Sequence, residues 1–293
     1  WARRQTQLLY DGEDYTLQID SHMRFVKGWD TMLVTMIKSL DHPKPIISYY
    51  PPPYEKAADG TITKCDYTIP QAITVNKFES GFIPYFGSLS LIGQPTATKP
   101  ILGRFLAAGL LFTIGEFCNE VPYNPNIYFL GEETDLALRS FTKGYNIFHP
   151  HKSVCWHYFI RRGEPRHWED HTMAAAQAGT VAQDYVTTTS LGWQQLRRLF
   201  WEDNADLGPY SCGTVRSRRD FEMFAGLNFK RMIIHPESNK KLAPITTDPN
   251  WETNVNPPLV FKKTIELDLS KVPVLDDYQF WYFGLHDVDN LEV

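Results

Sequence analysis

The spacing of apolar residues along the chain changes between a period of two and a period of three to four. Residues 15–20 alternate apolar and polar side chains, which predicts a strand with one buried face. Residues 29–40 repeat their apolar side chains at helical spacing, which predicts a strongly amphipathic helix. The apolar face of this helix would carry Trp29, Met32, Leu33, Met36, Ile37 and Leu40.

Further strands and helices are predicted along most of the remaining chain. They are an extended segment over 61–78, a buried strand and short helix over 103–121, a strand over 153–159, and helices over 184–201 and 218–226. Another helix should begin near Glu132 and end at Gly144, because glycine commonly terminates helices. Glu133 and Asp135 would lie in its first turn, where acidic side chains complement the helix dipole.

Two segments depart from this pattern. Residues 43–60 are rich in proline and predict a long irregular insertion or lid rather than core, although an acceptor-binding ledge is an alternative. After about residue 236 the chain becomes rich in proline and asparagine, and alternating strands follow at 259–269 and 278–285. We therefore expect a boundary near residue 240, with a small β-rich module over 241–293.

Composition excludes some classes of protein and favours others. The chain has 293 residues, 43% of them hydrophobic, which is enough for one large domain with or without a smaller module. Its net charge of −5 and the lack of a basic run argue against a nucleic-acid partner, and no apolar run is long enough for a membrane span. The four cysteines form no CxxC pair, which favours free thiols, a reducing compartment and a cytoplasmic location.

Candidate metal ligands occur at the ends of two predicted strands. Asp20 and His22 are two positions apart, so they would project to the same side at the end of the first strand. A carboxylate and an imidazole directed at one point suit a divalent ion such as Mn²⁺. His157, on the strand over 153–159, could supply a third ligand. The simpler alternatives are a solvated strand end for the first pair and a structural hydrogen bond for His157.

Several motifs occur in the same order as in one family of enzymes. They are Gln-Ile-Asp-Ser-His at 18–22, Val-Pro-Tyr at 121–123, Phe-Leu-Gly-Glu-Glu at 129–133, Gly-Tyr at 144–145, and the strand with His157. Over residues 1–235 the chain resembles the GlcNAc-transferases typified by the enzyme that modifies hydroxyproline on the Skp1 subunit of ubiquitin ligases. These are retaining GT-A glycosyltransferases that share the Asp-Ser-His motif with the polypeptide GalNAc-transferases.

The resemblance implies an α/β fold in residues 1–240, a GT-A-like mixed sheet flanked by helices with the strand 15–20 at its centre. A GT-A domain normally begins with a βαβ unit that binds uracil and ribose, and this unit should precede Trp1. The chain instead opens in what resembles the middle of a helix. We therefore expect that an N-terminal segment, or a second chain, completes the nucleotide site.

The resemblance also implies roles for individual residues. Asp20, His22 and His157 would hold Mn²⁺ against the donor diphosphate. The expected contacts to the donor sugar and diphosphate are Arg3, Gly131, Glu132 and Arg162. The expected catalytic residues are Glu132 and Arg161, with Arg161 and Arg162 on a loop that resembles a mobile lid. His149, His151 and His167 have no spacing that distinguishes them from surface histidines.

The function implied is metal-dependent, retaining transfer of GlcNAc, or a related N-acetylhexosamine, from a UDP-sugar to a hydroxyl group. The acceptor would be a protein, on hydroxyproline, Ser or Thr, or a glycan. One alternative is a non-catalytic pseudo-transferase that binds a carbohydrate or a protein. A metal-dependent hydrolase would also use three ligands, but the sequence has no helical His-x-x-x-His motif with a water-activating acid.

Overall fold

A computed structural model of the protein describes residues 1–64, 70–79, 81–90, 98–160 and 166–255. The strands are β1 (Tyr15–Ile19), β2 (Met23–Phe25), β3 (Pro45–Ser48), β4 (Tyr54–Lys56), β5 (Ile62–Lys64), β6 (Gln71–Glu79), β7 (Ile83–Ser90), β8 (Ile101–Leu102), β9 (Leu110–Ile114), β10 (Asn146–His149), β11 (Cys155–His157), β12 (Leu227–Asn228) and β13 (Ile233–Ile234). The helices are α1 (Ala2–Gln7), α2 (Trp29–Lys38), α3 (Phe117–Glu120), α4 (Glu132–Thr142), α5 (His167–Asp170), α6 (Met173–Gln177), α7 (Tyr185–Trp201) and α8 (Arg218–Ala225).

The largest sheet of the described residues has five strands in the order β1-β9-β3-β10-β8. Strands β3 and β10 are parallel, whereas β9 runs antiparallel to both β1 and β3, and β8 runs antiparallel to β10. The sheet is therefore mixed, and helices cover both of its faces. This architecture confirms the predicted α/β class and is compatible with a GT-A-like fold.

Each face of the sheet is covered by its own hydrophobic cluster. On one side, Leu33, Met36 and Ile37 of α2 pack against β3 and β9. On the other side, α4, α7 and α8 contribute to a larger cluster that also includes residues from β3 and β9. Consecutive side chains of a strand point to opposite faces, so Ile46 enters the larger cluster while Ile47 packs beside α2.

The expectation that residues 43–60 form an irregular insertion was wrong for the first part of this segment. Pro45–Ser48 is the middle strand of the five-stranded sheet, and all four of its residues are buried. Proline is tolerated at the first position of a strand. The two isoleucines that follow place one apolar side chain on each face of the sheet, as expected for a strand buried on both faces. The density of prolines around this short strand conceals it in the sequence.

The expected central position of β1 was also wrong. In the described part of the chain β1 pairs only with β9 and lies at the edge of the five-stranded sheet. Its residues are only partly buried, and the side chain of Ile19 is 40% exposed. An alternating pattern shows which face of a strand is buried, but it does not show how many strands lie beside it.

The spacing of His149 did not distinguish it from a surface histidine, but its side chain is fully buried. Its Nδ1 lies 2.8 Å from the carbonyl oxygen of Ser48, and its Nε2 accepts a hydrogen bond from the backbone of Ile73 at 3.2 Å. Burial lowers the pKa of His149 to about 4, so the ring is neutral and links β10 to β3 and β6.

The three cysteines in the described residues, Cys118, Cys155 and Cys212, are free thiols, as predicted. No helix in this part of the chain is long and apolar enough to cross a membrane. The predicted strands at 259–269 and 278–285 lie outside the described residues, so the β-rich module and the boundary near 240 stay predictions. Ile245 and Trp251 are buried, and the backbone of Ile245 donates a hydrogen bond to Phe224 of α8.

Candidate metal and donor site

Two pairs of strands position the three predicted metal ligands. Asp20 follows directly after β1, and its backbone amide donates to the carbonyl oxygen of Gly109 at 3.2 Å. Strand β2 pairs with β11 so that His157 is opposite Met23, which follows His22 in the chain. The backbone amide of Tyr158 also donates to the carbonyl oxygen of His22 at 3.1 Å. This pairing holds the two histidines side by side at the end of β1.

The side chains of Asp20, His22 and His157 converge as predicted. His157 Nε2 lies 3.1 Å from Asp20 Oδ2, and His22 Nε2 lies 3.9 Å from the same oxygen. One ligand atom from each residue lies within 4.8 Å of the other two. The predicted approach of His157 to Asp20 is therefore confirmed.

The chemistry of these three side chains fits a divalent metal ion. The hydrogen bond with His157 lowers the pKa of Asp20, so its carboxyl group is ionised at neutral pH. His157 is 7% exposed, and its buried Nδ1 has no hydrogen-bond partner among the described residues. One carboxylate and two imidazoles form a donor set that borderline ions such as Mn²⁺ and Zn²⁺ accept.

Arg3 connects the metal-ligand cluster to the start of α4. Its Nη2 donates to Asp20 Oδ1 at 2.9 Å, and its Nη1 donates to Glu132 Oε1 at 2.5 Å. The guanidinium carbon also lies 5.7 Å from the centre of the Tyr123 ring. Burial raises the pKa of Glu132, and the positive charge of Arg3 opposes this shift. The structure thus brings together Arg3, Asp20 and Glu132, three residues that the sequence places far apart.

The start of α4 depends on a glycine for steric reasons. Gly131 precedes Glu132 with a φ of 101°, a conformation that residues with a side chain rarely adopt. A Cβ atom on Gly131 would also lie 2.4 Å from Leu196 Cδ1 of α7. Gly131 therefore sets the start of the helix whose first residue, Glu132, pairs with Arg3. The expected contact of Gly131 with the donor stays a prediction.

Glu133 makes two contacts beside the site that the sequence did not reveal. Its Oε1 accepts a hydrogen bond from the backbone amide of Ala108, and its Oε2 accepts one from the hydroxyl of Tyr50, both at 2.7 Å. Burial raises the pKa of Glu133 to about 7. The sequence suggested only a favourable interaction with the helix dipole, because neither partner is near Glu133 in the chain.

Replacing Glu133 by Gln should change how stability depends on pH in metal-free protein. The raised pKa means that the folded state retains a proton on Glu133 that the unfolded state loses near pH 4.5. The stability contributed by this proton is present at low pH and is lost as the pH rises towards 7. Between pH 5 and 8, wild-type protein should lose about 2–3 kcal/mol of unfolding free energy relative to Glu133→Gln. Urea titrations across this range, with chelator present, measure the difference; parallel pH profiles would contradict it.

Arg161 and Arg162, expected on the lid over the diphosphate, lie outside the described residues, so their roles stay predictions.

The proline-rich segment contacts the strand that carries His157. The backbone amide of His157 donates to the carbonyl oxygen of Pro52 at 3.0 Å, and Pro53 forms a bridge with the same histidine.

A mixed sheet flanked by helices, with an Asp-His-His cluster at the end of a strand, is the arrangement expected of a GT-A-like transferase. The model of the family described as Glycosyltransferase (GlcNAc) matches residues 1–231. The chain belongs to this glycosyltransferase family. No curated protein matches the chain.

Proposed function

We propose that the protein is a metal-dependent, retaining glycosyltransferase that moves GlcNAc from UDP-GlcNAc to a hydroxyl group. The observation that carries this proposal is the convergence of Asp20, His22 and His157 beside the Arg3–Glu132 ion pair. Membership of the GlcNAc-transferase family supports the sugar that is transferred. The donor nucleotide, the metal, the stereochemistry and the acceptor belong to the proposal.

The proposed role of the metal ligands follows from the charge that develops on the leaving group. When bound, a divalent ion held by Asp20, His22 and His157 would neutralise the negative charge of the departing diphosphate. Arg3 carries a fixed positive charge next to Asp20, where it would also attract the diphosphate. Glu132 lies on the other side of Arg3, where its carboxylate could accept hydrogen bonds from donor sugar hydroxyls.

The proposed reaction requires no protein nucleophile. In retaining transfer of this kind, an oxygen of the departing diphosphate removes the proton from the acceptor hydroxyl as the new glycosidic bond forms. The chain's own task is then to orient the donor and to stabilise the leaving group. We therefore assign Glu132 to donor orientation and do not assign it to covalent catalysis.

We propose that the acceptor approaches between two segments that flank the metal ligands. One contains Pro52 and Pro53, which contact the backbone of His157, and the other contains Gly109, which contacts the backbone of Asp20. The family resemblance suggests a protein acceptor, with hydroxyproline, Ser or Thr as the modified residue, and a glycan is the alternative. Mass spectrometry of host proteins and glycans, with and without the active enzyme, distinguishes them: a change confined to glycans would exclude a protein acceptor.

Removal of the metal should abolish both donor binding and turnover. We expect calorimetry of the full-length protein to show tight UDP binding only when Mn²⁺ is present, and EDTA to stop release of UDP from UDP-GlcNAc. Added Mn²⁺ should restore both signals. UDP binding without sugar transfer would favour a pseudo-transferase, and a lack of metal-dependent nucleotide binding would favour a carbohydrate- or protein-binding module.

A further inference from the structure

Glu133 binds two separate segments of the chain. Each segment contacts the backbone of one metal ligand, Asp20 or His157. Its two carboxylate oxygens do not share a partner: Oε1 binds the backbone amide of Ala108, and Oε2 binds the hydroxyl of Tyr50. Neither partner belongs to α4, the helix on which Glu133 lies. The carboxylate therefore connects the first turn of α4 to two segments outside that helix.

The contact of Oε1 leads to Asp20. Ala108 lies in the tight turn before β9, in which the amide of Leu110 donates to the carbonyl oxygen of Ala107. The next residue of this turn, Gly109, accepts a hydrogen bond from the backbone amide of Asp20 at 3.2 Å. The turn also lies close to the Asp20 carboxylate, since a Cβ atom added to Gly109 would be 3.0 Å from Asp20 Oδ2. The turn that Glu133 holds thus supports the backbone of Asp20 and lies beside its carboxylate.

The contact of Oε2 leads to His157. Tyr50 is followed by Pro51, Pro52 and Pro53, whose rings fix the φ angle and stiffen the backbone. The carbonyl oxygen of Pro52 accepts a hydrogen bond from the backbone amide of His157 at 3.0 Å. Because the intervening segment is short and stiff, we expect a shift of the Tyr50 side chain to displace the strand that carries His157.

We propose that Glu133 is a positioning residue that sets the distance between the metal ligands Asp20 and His157 by holding the turn at Ala108 and the segment at Tyr50. This inference rests on the proposed metal site. It gives adjacent residues different tasks: Glu132 acts through Arg3 on the side chain of Asp20, whereas Glu133 acts through the backbones on either side of the site.

The chain offers a matched control for the purely structural effect of removing a buried glutamate. Glu222, on α8, is 6% exposed, and its Oε1 accepts a hydrogen bond from the backbone amide of Phe229 at 2.9 Å. Burial raises the pKa of Glu222, as it does for Glu133. Its partners, the backbone of Phe229 and the side chain of Arg219, include no metal ligand, so the loss of Glu222 should affect stability alone.

The test is the affinity of the full-length protein for Mn²⁺, measured by titration under electron paramagnetic resonance, alongside thermal unfolding. We expect Glu133→Ala to weaken Mn²⁺ binding by about 10–100-fold, the range typical of residues that orient metal ligands. Glu133→Gln should bind within about threefold of wild type, because its carbonyl oxygen can still accept from Ala108 and its amide can donate to Tyr50. Glu222→Ala should lower the melting temperature and leave Mn²⁺ affinity unchanged.

Tyr50→Phe provides a second route if Glu133→Ala does not fold. It removes only the hydroxyl that binds Oε2, and it should weaken Mn²⁺ binding by a smaller factor than Glu133→Ala does. Unchanged Mn²⁺ affinity in folded Glu133→Ala, or in Tyr50→Phe where the first variant cannot be made, would overturn the inference. Equal weakening by Glu222→Ala would do the same. If the proposed function is wrong, wild-type protein itself should not bind Mn²⁺. That outcome needs no variant and is distinct from failure of the inference on Glu133.

Discussion

Asp20→Asn should reduce metal-dependent GlcNAc transfer by about 10²–10³-fold or more while the protein remains folded. The substitution keeps the shape of the side chain and removes the negative charge that a divalent ion requires. Loss of one group that stabilises developing charge in a transition state costs about 3–4 kcal/mol, and a metal ligand should matter at least as much. Release of UDP from UDP-GlcNAc at saturating Mn²⁺ measures the effect.

Asp14→Asn is the matched control for this substitution. Asp14 precedes the opposite end of β1 and is exposed, so it takes no part in the cluster at Asp20. The control should retain wild-type turnover and Mn²⁺ affinity. Full activity of Asp20→Asn would remove Asp20 from the proposed metal site, whereas equal loss in both variants would indicate damage to the strand rather than to the site.

The elements with strong local patterns were predicted well from the sequence. The apolar spacing in 29–40 predicted α2, and Gly144 marked the end of α4. The convergence of Asp20, His22 and His157 was also predicted, because the motif order located the ligands on two strands. Local spacing and motif order are properties of the sequence itself, which is why these features could be inferred without a structure.

The features that the sequence missed depend on partners that are distant in the chain. Strand β3 is short and begins with a proline, and only its neighbours β9 and β10 show that it lies inside the sheet. His149 has the spacing of a surface histidine, and its burial follows from contacts with Ser48 and Ile73. The partners of Glu133, Tyr50 and Ala108, are also distant from it in the chain. No local pattern encodes such pairings, because they are set by sheet order and packing.

Asp135 has the position that the sequence predicted but a different role. The sequence assigned it to the first turn of a helix, and the structure confirms this position in α4. However, Asp135 is buried and forms an ion pair with Arg139, which is fully buried one turn later. Arg139 also donates to the carbonyl oxygen of Pro122 at 2.9 Å, so the pair attaches α4 to the segment before Tyr123. The interaction with the helix dipole is therefore the smaller part of its role.

Asp135→Ala should lower the free energy of unfolding by about 3–5 kcal/mol, because it leaves the charge of Arg139 buried without its partner. Replacing a residue that only complemented the helix dipole would lower the free energy of unfolding by about 0.3–1 kcal/mol. Urea unfolding of the two proteins therefore separates the two interpretations. A loss below about 1 kcal/mol would contradict a structural role for the buried pair.

The control for Asp135→Ala is Glu202→Ala, which breaks an ion pair of the same spacing at the surface. Arg198 and Glu202 are also four residues apart, but their side chains are 47% and 52% exposed. Water solvates both charges after the pair is broken, so Glu202→Ala should cost less than about 1 kcal/mol. Replacing both members of the buried pair, as in Asp135→Leu with Arg139→Met, should restore much of the stability lost in Asp135→Ala, since no unpaired charge then remains inside the protein. If the double variant were less stable than Asp135→Ala, the uncompensated charge of Arg139 would not be the cause of the loss.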